Sequence, residues 1–200
     1  MSDLPNKWPA VGSPQSGTDQ GADQGIWTQD LVKCLAVDPL GAGSATAWAT
    51  SPTFADSPYG AGSRIELMTT AEIAKARFDT LSKSNVTDCL QKSPGSVWKL
   101  GDPEPTDPVQ KVERVARLEF PQIGDGVSAF RIKVAKSHAA GQINAGKSWT
   151  AVIDLVIVRA GRSLVQMAFG GGGGSLPTEW EQNMTQAVTD RIAKSAAASS

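Results

Sequence analysis

Apolar and polar residues alternate with a period of two along four stretches of the second half of the chain. In Val109–Phe120, Ala116, Leu118 and Phe120 fall on one side while Arg117 and Glu119 fall on the other. Val127–Val134 repeats the pattern, with Phe130, Ile132 and Val134 against Arg131 and Lys133. Ser148–Arg159 and Ser163–Phe169 follow, joined through Ala160-Gly161-Arg162, which predicts a hairpin. A shorter alternation, Ser63–Met68, predicts a fifth strand earlier in the chain. Between these stretches the period lengthens. Thr28 is placed to cap a short helix carrying Leu31, Val32 and Leu35. Thr69-x-x-Glu72 has the form of a capping box, ahead of a helix with Ala74, Phe78 and Leu81 on one face that ends near Lys83. The box Thr178-x-x-Glu181, just after Pro177, opens a last helix with Trp180, Met184, Ala187, Val188 and Ile192 as its apolar stripe. Residues 38–62, 93–108 and 136–147 read as loops. The expectation is an α+β fold: an antiparallel sheet of about five strands packed against helices, with one face covered.

Composition narrows the function classes. The 200 residues are 40% hydrophobic and carry a net charge of −1, which suits one domain and lacks the positive field that nucleic-acid or anionic-membrane binding requires. No apolar run approaches the roughly 18 residues that span a bilayer. The longest, Ala151–Val158, is strand-sized and interrupted by Asp154. Residues 1–25, rich in Pro, Gly, Ser, Asp and Gln, read as a flexible tether without a signal-peptide pattern. They belong either to a cytosolic protein with a disordered tail or to an exported one whose signal or anchor is missing. The domain is expected over 26–196, with a disordered tail at 197–200.

Few motifs carry chemistry. Gly141–Ser148 matches GxxxxGK[ST], but a strand follows where a phosphate-binding loop needs a helix. The five glycines Gly170–Gly174 lack a partnering lysine and read as a flexible connector. His138, the single histidine, has no nucleophile or carboxylate near it in sequence, and no G-x-S-x-G is present. A hydrolase would require His138 to meet a serine and a carboxylate in space. Cys34 and Cys89 are the only cysteines; with one histidine they make no zinc site, and no metal or cofactor is expected. They are either two buried thiols or one disulfide, worth about 4 kcal/mol in the chain-entropy picture. Asp154 reads as an exposed residue paired across strands with Arg131, Lys133 or Arg117, or as the polar anchor of a concave pocket. Asp154, Arg131 and Trp180 are the candidate ligand-contacting residues. Six tryptophans are many for this length, and Trp8 has no core to join if residues 1–25 are a tether.

Several segments in order carry a resemblance: Val32–Leu35, Ser51–Phe54, Thr70–Phe78, Asp88-Cys89-Leu90, Ile123–Phe130 and the hairpin Val156–Val165. Over residues 26–195 the chain resembles the extracellular sensor-like domains and secreted lipoproteins of actinobacteria, among them the sensor domains of PknH-type serine/threonine kinases. Those kinase domains carry two disulfides and this chain can make one, so the lipoprotein-like relatives are the safer match. The resemblance implies a Cys34–Cys89 disulfide, export, and anchoring through a lipid or transmembrane helix absent here. It also implies a cleft between sheet and helix for a small ligand, and brings no catalytic residues. The function expected is a monomeric, non-catalytic, cell-envelope sensing or binding domain for a small, partly apolar ligand or a partner protein. The alternative is a structural or protein-interaction module of the envelope with no small ligand.

Overall fold

The computed structural model describes residues 8–18, 26–37, 45–93, 109–137, 147–172 and 174–197. His138, Gly141–Gly146, Gly173 and the expected tail at 198–200 lie outside them.

The alternating segments lie side by side and form one end of the sheet. β6 (Val109–Leu118), β7 (Gly126–Ser137), β8 (Ser148–Ala160) and β9 (Ser163–Gly172) form a continuous antiparallel meander. β5 (Tyr59–Met68) then pairs with β9, in the register Ala61↔Phe169 and Ile65↔Val165. Beyond β5 the sheet continues as a wing. β3 (Ala45–Thr50) and β4 (Thr53–Asp56) share the free edge of β5 end to end, because Ser51-Pro52 interrupts what would otherwise be one strand. Two short strands, β1 (Ala10–Val11) and β2 (Gln15–Gly17), pair with β4 and β3.

The described sheet therefore has nine strands, not about five. The extra ones come from stretches whose Gly, Ala, Ser and Pro content reads as loop or tether. Small residues are poor strand formers alone, and ladder hydrogen bonds to a preformed β5 decide their conformation. Residues 8–18, read as tether, belong to that wing edge. Trp8, 5% exposed, sits edge-on to Trp180 with ring centroids 6.3 Å apart. The glycines also differ from expectation. Gly170–Gly172 continue β9, paired with both β5 and β8. A side chain at Gly171 would meet the Gly174 carbonyl as the chain folds back over it, so glycine is needed there for close approach.

Helices cover both faces of the sheet, where one was expected. On one face lie α1 (Gln29–Leu35), α2 (Ala71–Asp79), a 3-10 turn at Thr80–Ser82 and α3 (Val86–Lys92). Thr28 caps α1 by accepting from the Leu31 N–H, as the sequence predicts, whereas α2 is capped by Thr70, one residue later than the capping box suggests. Their apolar residues meet Phe130, Ile132, Val134, Leu155, Ile157 and Leu164 of the sheet. Cys34 and Cys89 are joined, with Cα atoms 5.5 Å apart, tying α1 to α3.

On the other face α4 (Thr178–Ala197) packs over Val156, Val158, Val165, Met167 and Phe169. The second core exists because both sides of β8 and β9 are apolar, a pattern proper to strands covered twice.

Candidate functional site

α4 seats on β8 and β9 and leaves the wing beside it partly uncovered. Ala47 and Ala49 of β3, with Ala61 and Ser63 of β5, face that gap and are too small to fill it. The result is a trough between helix and wing made of two adjoining cavities. The larger, about 920 Å³, runs past Ala49, Ile65 and Leu67 to the β8–β9 turn and is roofed by Thr189, Ile192 and Ser195. The smaller, about 220 Å³, lies among Phe54, Ala61, Met167, Met184 and Val188. Arg191 borders both. From Met184 to Ser195 the helix wall is roughly 16 Å long at 1.5 Å per residue. The larger cavity alone lies in the range of small-molecule sites, roughly 300–1,000 Å³.

Chemically the trough is a mostly apolar channel with a polar mouth. Two methionines line its narrow end, where their flexible thioethers adapt to irregular shapes. At the mouth Asp125 holds the β8–β9 turn in place. Its carboxylate accepts from the Gly161 N–H at 2.7 Å and from Arg159 at 3.2 Å, while Arg159 also donates to the Asp125 carbonyl. Gln186, Asp190 and Arg162 complete that rim, with Gln186 donating to Asp190 at 2.7 Å.

The residues expected to contact a ligand lie elsewhere. Asp154 and Arg131 do come together, as a bidentate ion pair: Nε to Oδ1 at 2.8 Å and an Nη to Oδ2 at 2.6 Å. Of the partners proposed for Asp154, the register selects Arg131, directly opposite on β7. The pair is not exposed, however. Asp154 is 1% accessible because α4 lies over it. Trp180 is half-buried against Trp8. None of the three lines either cavity.

Beneath α4 the pair is joined by Glu181, which the sequence reading assigned to a capping box. Its side chain turns inward instead: Glu181 is fully buried, no donor reaches either carboxyl oxygen, and the carboxyl lies within hydrogen-bond reach of Asp154. Its pKa is pushed up to about 8, by burial first and then by the Asp154 carboxylate beside it, with Arg131 pulling the other way. Thr185 and Thr189 continue this buried polar line at i+4 and i+8.

A second buried polar cluster lies on the opposite face. Glu66 accepts from Arg64 at 3.1 Å, with Arg77 3.8 Å away, and burial raises its pKa against the pull of both cations. Trp48 stacks on Arg64 and Trp27 on Arg77, and Gln166 accepts from the Ile26 N–H. These contacts fasten the start of α1 to β5, β9 and α2. They form a structural knot under the helices that reaches the trough through Trp48.

Among the described residues, no group of three or more His, Cys, Asp or Glu side chains is placed to hold a metal ion. Ser148 opens strand β8, so the GxxxxGK[ST] match is followed by a strand as the sequence indicates. No described helix is long and apolar enough to cross a membrane.

The trough was missed because its walls are wing strands that read as loop. A signal exists in the alternation of small residues at 47, 49, 61 and 63, which marks strands that lack volume on one face. The line Glu181, Thr185, Thr189 is likewise visible at helical spacing.

No protein-family model matches the chain, and no curated protein matches it. Among solved structures, it is similar to the crystal structure of the extracellular domain of PknH from Mycobacterium tuberculosis. The TM-score is 0.44 at 12% identity, covering 92% of this chain and 84% of that one. A likeness at this level carries no inference about ligand or activity, and membership of that family is not shown by it.

Proposed function

We propose that the chain is a non-catalytic binding or sensing domain of the cell envelope that holds a small, partly apolar ligand in the trough between α4 and the wing. The observation that carries this reading is the trough itself, an apolar channel of about 920 Å³ opening through a polar mouth. An elongated molecule with an apolar body and a polar end suits those walls. The Cys34–Cys89 bond supports placement outside the cytoplasm, since such bonds persist in oxidising compartments. The reading assigns the chain no cofactor and a monomeric state.

Native mass spectrometry of the purified chain tests the proposal. The expected result is a co-purifying small molecule, released on denaturation and absent from an Ala49→Trp variant that melts like the wild type. An indole at that position occupies the channel. Equal occupancy in the variant overturns the proposal. So does a bare wild-type chain that also fails to bind an apolar fluorophore saturably, and a structural or protein-interaction module of the envelope then becomes the better reading.

A further inference from the structure

Three ionisable groups meet beneath the first turns of α4, and their charges do not balance. Among the described residues Arg131 on β7 is the single cation of the group, and both Asp154 oxygens on β8 are committed to it. Glu181 descends from α4 with no exposure and no donor to either oxygen, its carboxyl within hydrogen-bond reach of Asp154. Among the described residues, Asp154 and Arg131 are the charged groups that act on Glu181. β9 offers Val165, Met167 and Phe169 on this face, and residues 8–11 offer Trp8, Pro9, Ala10 and Val11. Lys133, the next cation on this face of β7, is exposed, as is Glu179 on α4. Two ionised carboxylates facing one guanidinium would leave a buried negative charge, which is strongly disfavoured. With α4 seated, the pair must therefore retain one proton. Neutral Glu181 is compatible with burial beside Asp154, and ionised Glu181 is not.

We propose that α4 is a proton-dependent latch on the trough: it stays seated while Glu181 is protonated and swings away at its N-terminal end when that proton leaves, releasing the bound ligand. This rests on the reading of the trough as a binding site, since α4 is one of its walls. The raised pKa of Glu181, about 8, sets the range in which the latch works. The seated state keeps the proton above the ordinary carboxyl value of 4.5, so seating weakens as pH rises from there. Between that value and the seated-state pKa of about 8, each pH unit lowers the seating equilibrium by about tenfold, and above it the equilibrium levels off.

Two readouts on the intact chain test the latch from about pH 5 to about pH 9, across and beyond the interval between the two pKa values. The first is the affinity of the apolar fluorophore 1-anilinonaphthalene-8-sulfonate. The second is amide-exchange protection of α4, corrected for intrinsic exchange rates. Both are expected to fall together between about pH 5 and pH 8, by up to about tenfold per unit, and to level off above it, and both are expected to stay flat in Glu181→Gln. Protection that falls while no fluorophore binds upholds the latch and removes the binding reading. Fluorophore binding and protection that ignore pH overturn the latch, and so does a Glu181→Gln variant with the wild-type response. If Glu181→Gln does not fold, Asp154→Asn leaves one carboxyl for one guanidinium. That variant is expected to lose the fall between about pH 5 and pH 8, and its retention overturns the latch equally.

Discussion

An aspartate in the middle of an apolar strand, under a helix, carries a desolvation penalty that only a well-placed cation offsets. Arg131 meets that need at Asp154 through two short hydrogen bonds, with its own side chain still one-third exposed. The two partners are therefore unequal. Asp154→Asn leaves a cation with access to water, whereas Arg131→Ala leaves a buried carboxylate beside Glu181 with nothing to balance it. Arg131→Ala is expected to cost roughly 3–5 kcal/mol and Asp154→Asn distinctly less, measured by denaturant unfolding at pH 7. Equal costs would mean that α4 does not seal the site. The sequence showed that Asp154 would pair across the strands. It could not show burial, because a polar residue in an alternating strand looks the same whether its face meets water or a helix.

At the scale of elements, the disulfide and the wing behave differently. α1 and α3 are only 7 residues each, too short to persist without tertiary support. The Cys34–Cys89 bond holds them together while Leu31, Leu35, Val86 and Leu90 bury their side chains. Closing 55 residues of chain is worth about 4 kcal/mol. Reduction, or replacement of both cysteines by serine, is expected to lower stability by about that amount. Tryptic cleavage should then appear first around Lys33, Lys83 and Lys92, with β7–β9 still intact. Simultaneous loss of the sheet would show that the α1–α3 layer and the sheet fold as one unit. The capped helices were legible because capping is local chemistry, with the side chain and its N–H partner three residues apart. The wing was not legible. Strands of alanine, glycine and serine take their conformation from the neighbour they pair with, and that neighbour is remote in sequence.

At the scale of the whole molecule, the sheet lies between α1–α3 on one face and α4 on the other. Protection should follow that geometry. β8 and β9 are paired on both edges and covered on both faces, so their amides should exchange only through near-global unfolding. β1 to β4 have short ladders and a face opened by the trough, and are expected to exchange orders of magnitude faster through local opening. Native-state hydrogen exchange checks this. Equal protection of β3 and β8 would contradict an open wing and weaken the case for the trough.

The sequence by itself determined the antiparallel meander from β6 to β9, the strand that becomes β5, the start of α1 and the presence of the last helix. In each case the period of the apolar residues or a capping side chain specifies the backbone locally. It also limited the chemistry, since one histidine and two cysteines leave few constellations to build. Tertiary structure alone decided the rest: a sheet covered twice, a tether segment drawn into its edge, and a trough left where small side chains face a helix that seats elsewhere. Those features depend on which remote surfaces meet and how much volume they leave between them. Glu181 is the clearest case. Its spacing from Thr178 suits a cap, and only the arrival of Asp154 and Arg131 beneath α4 turns it inward as a buried, proton-holding acid.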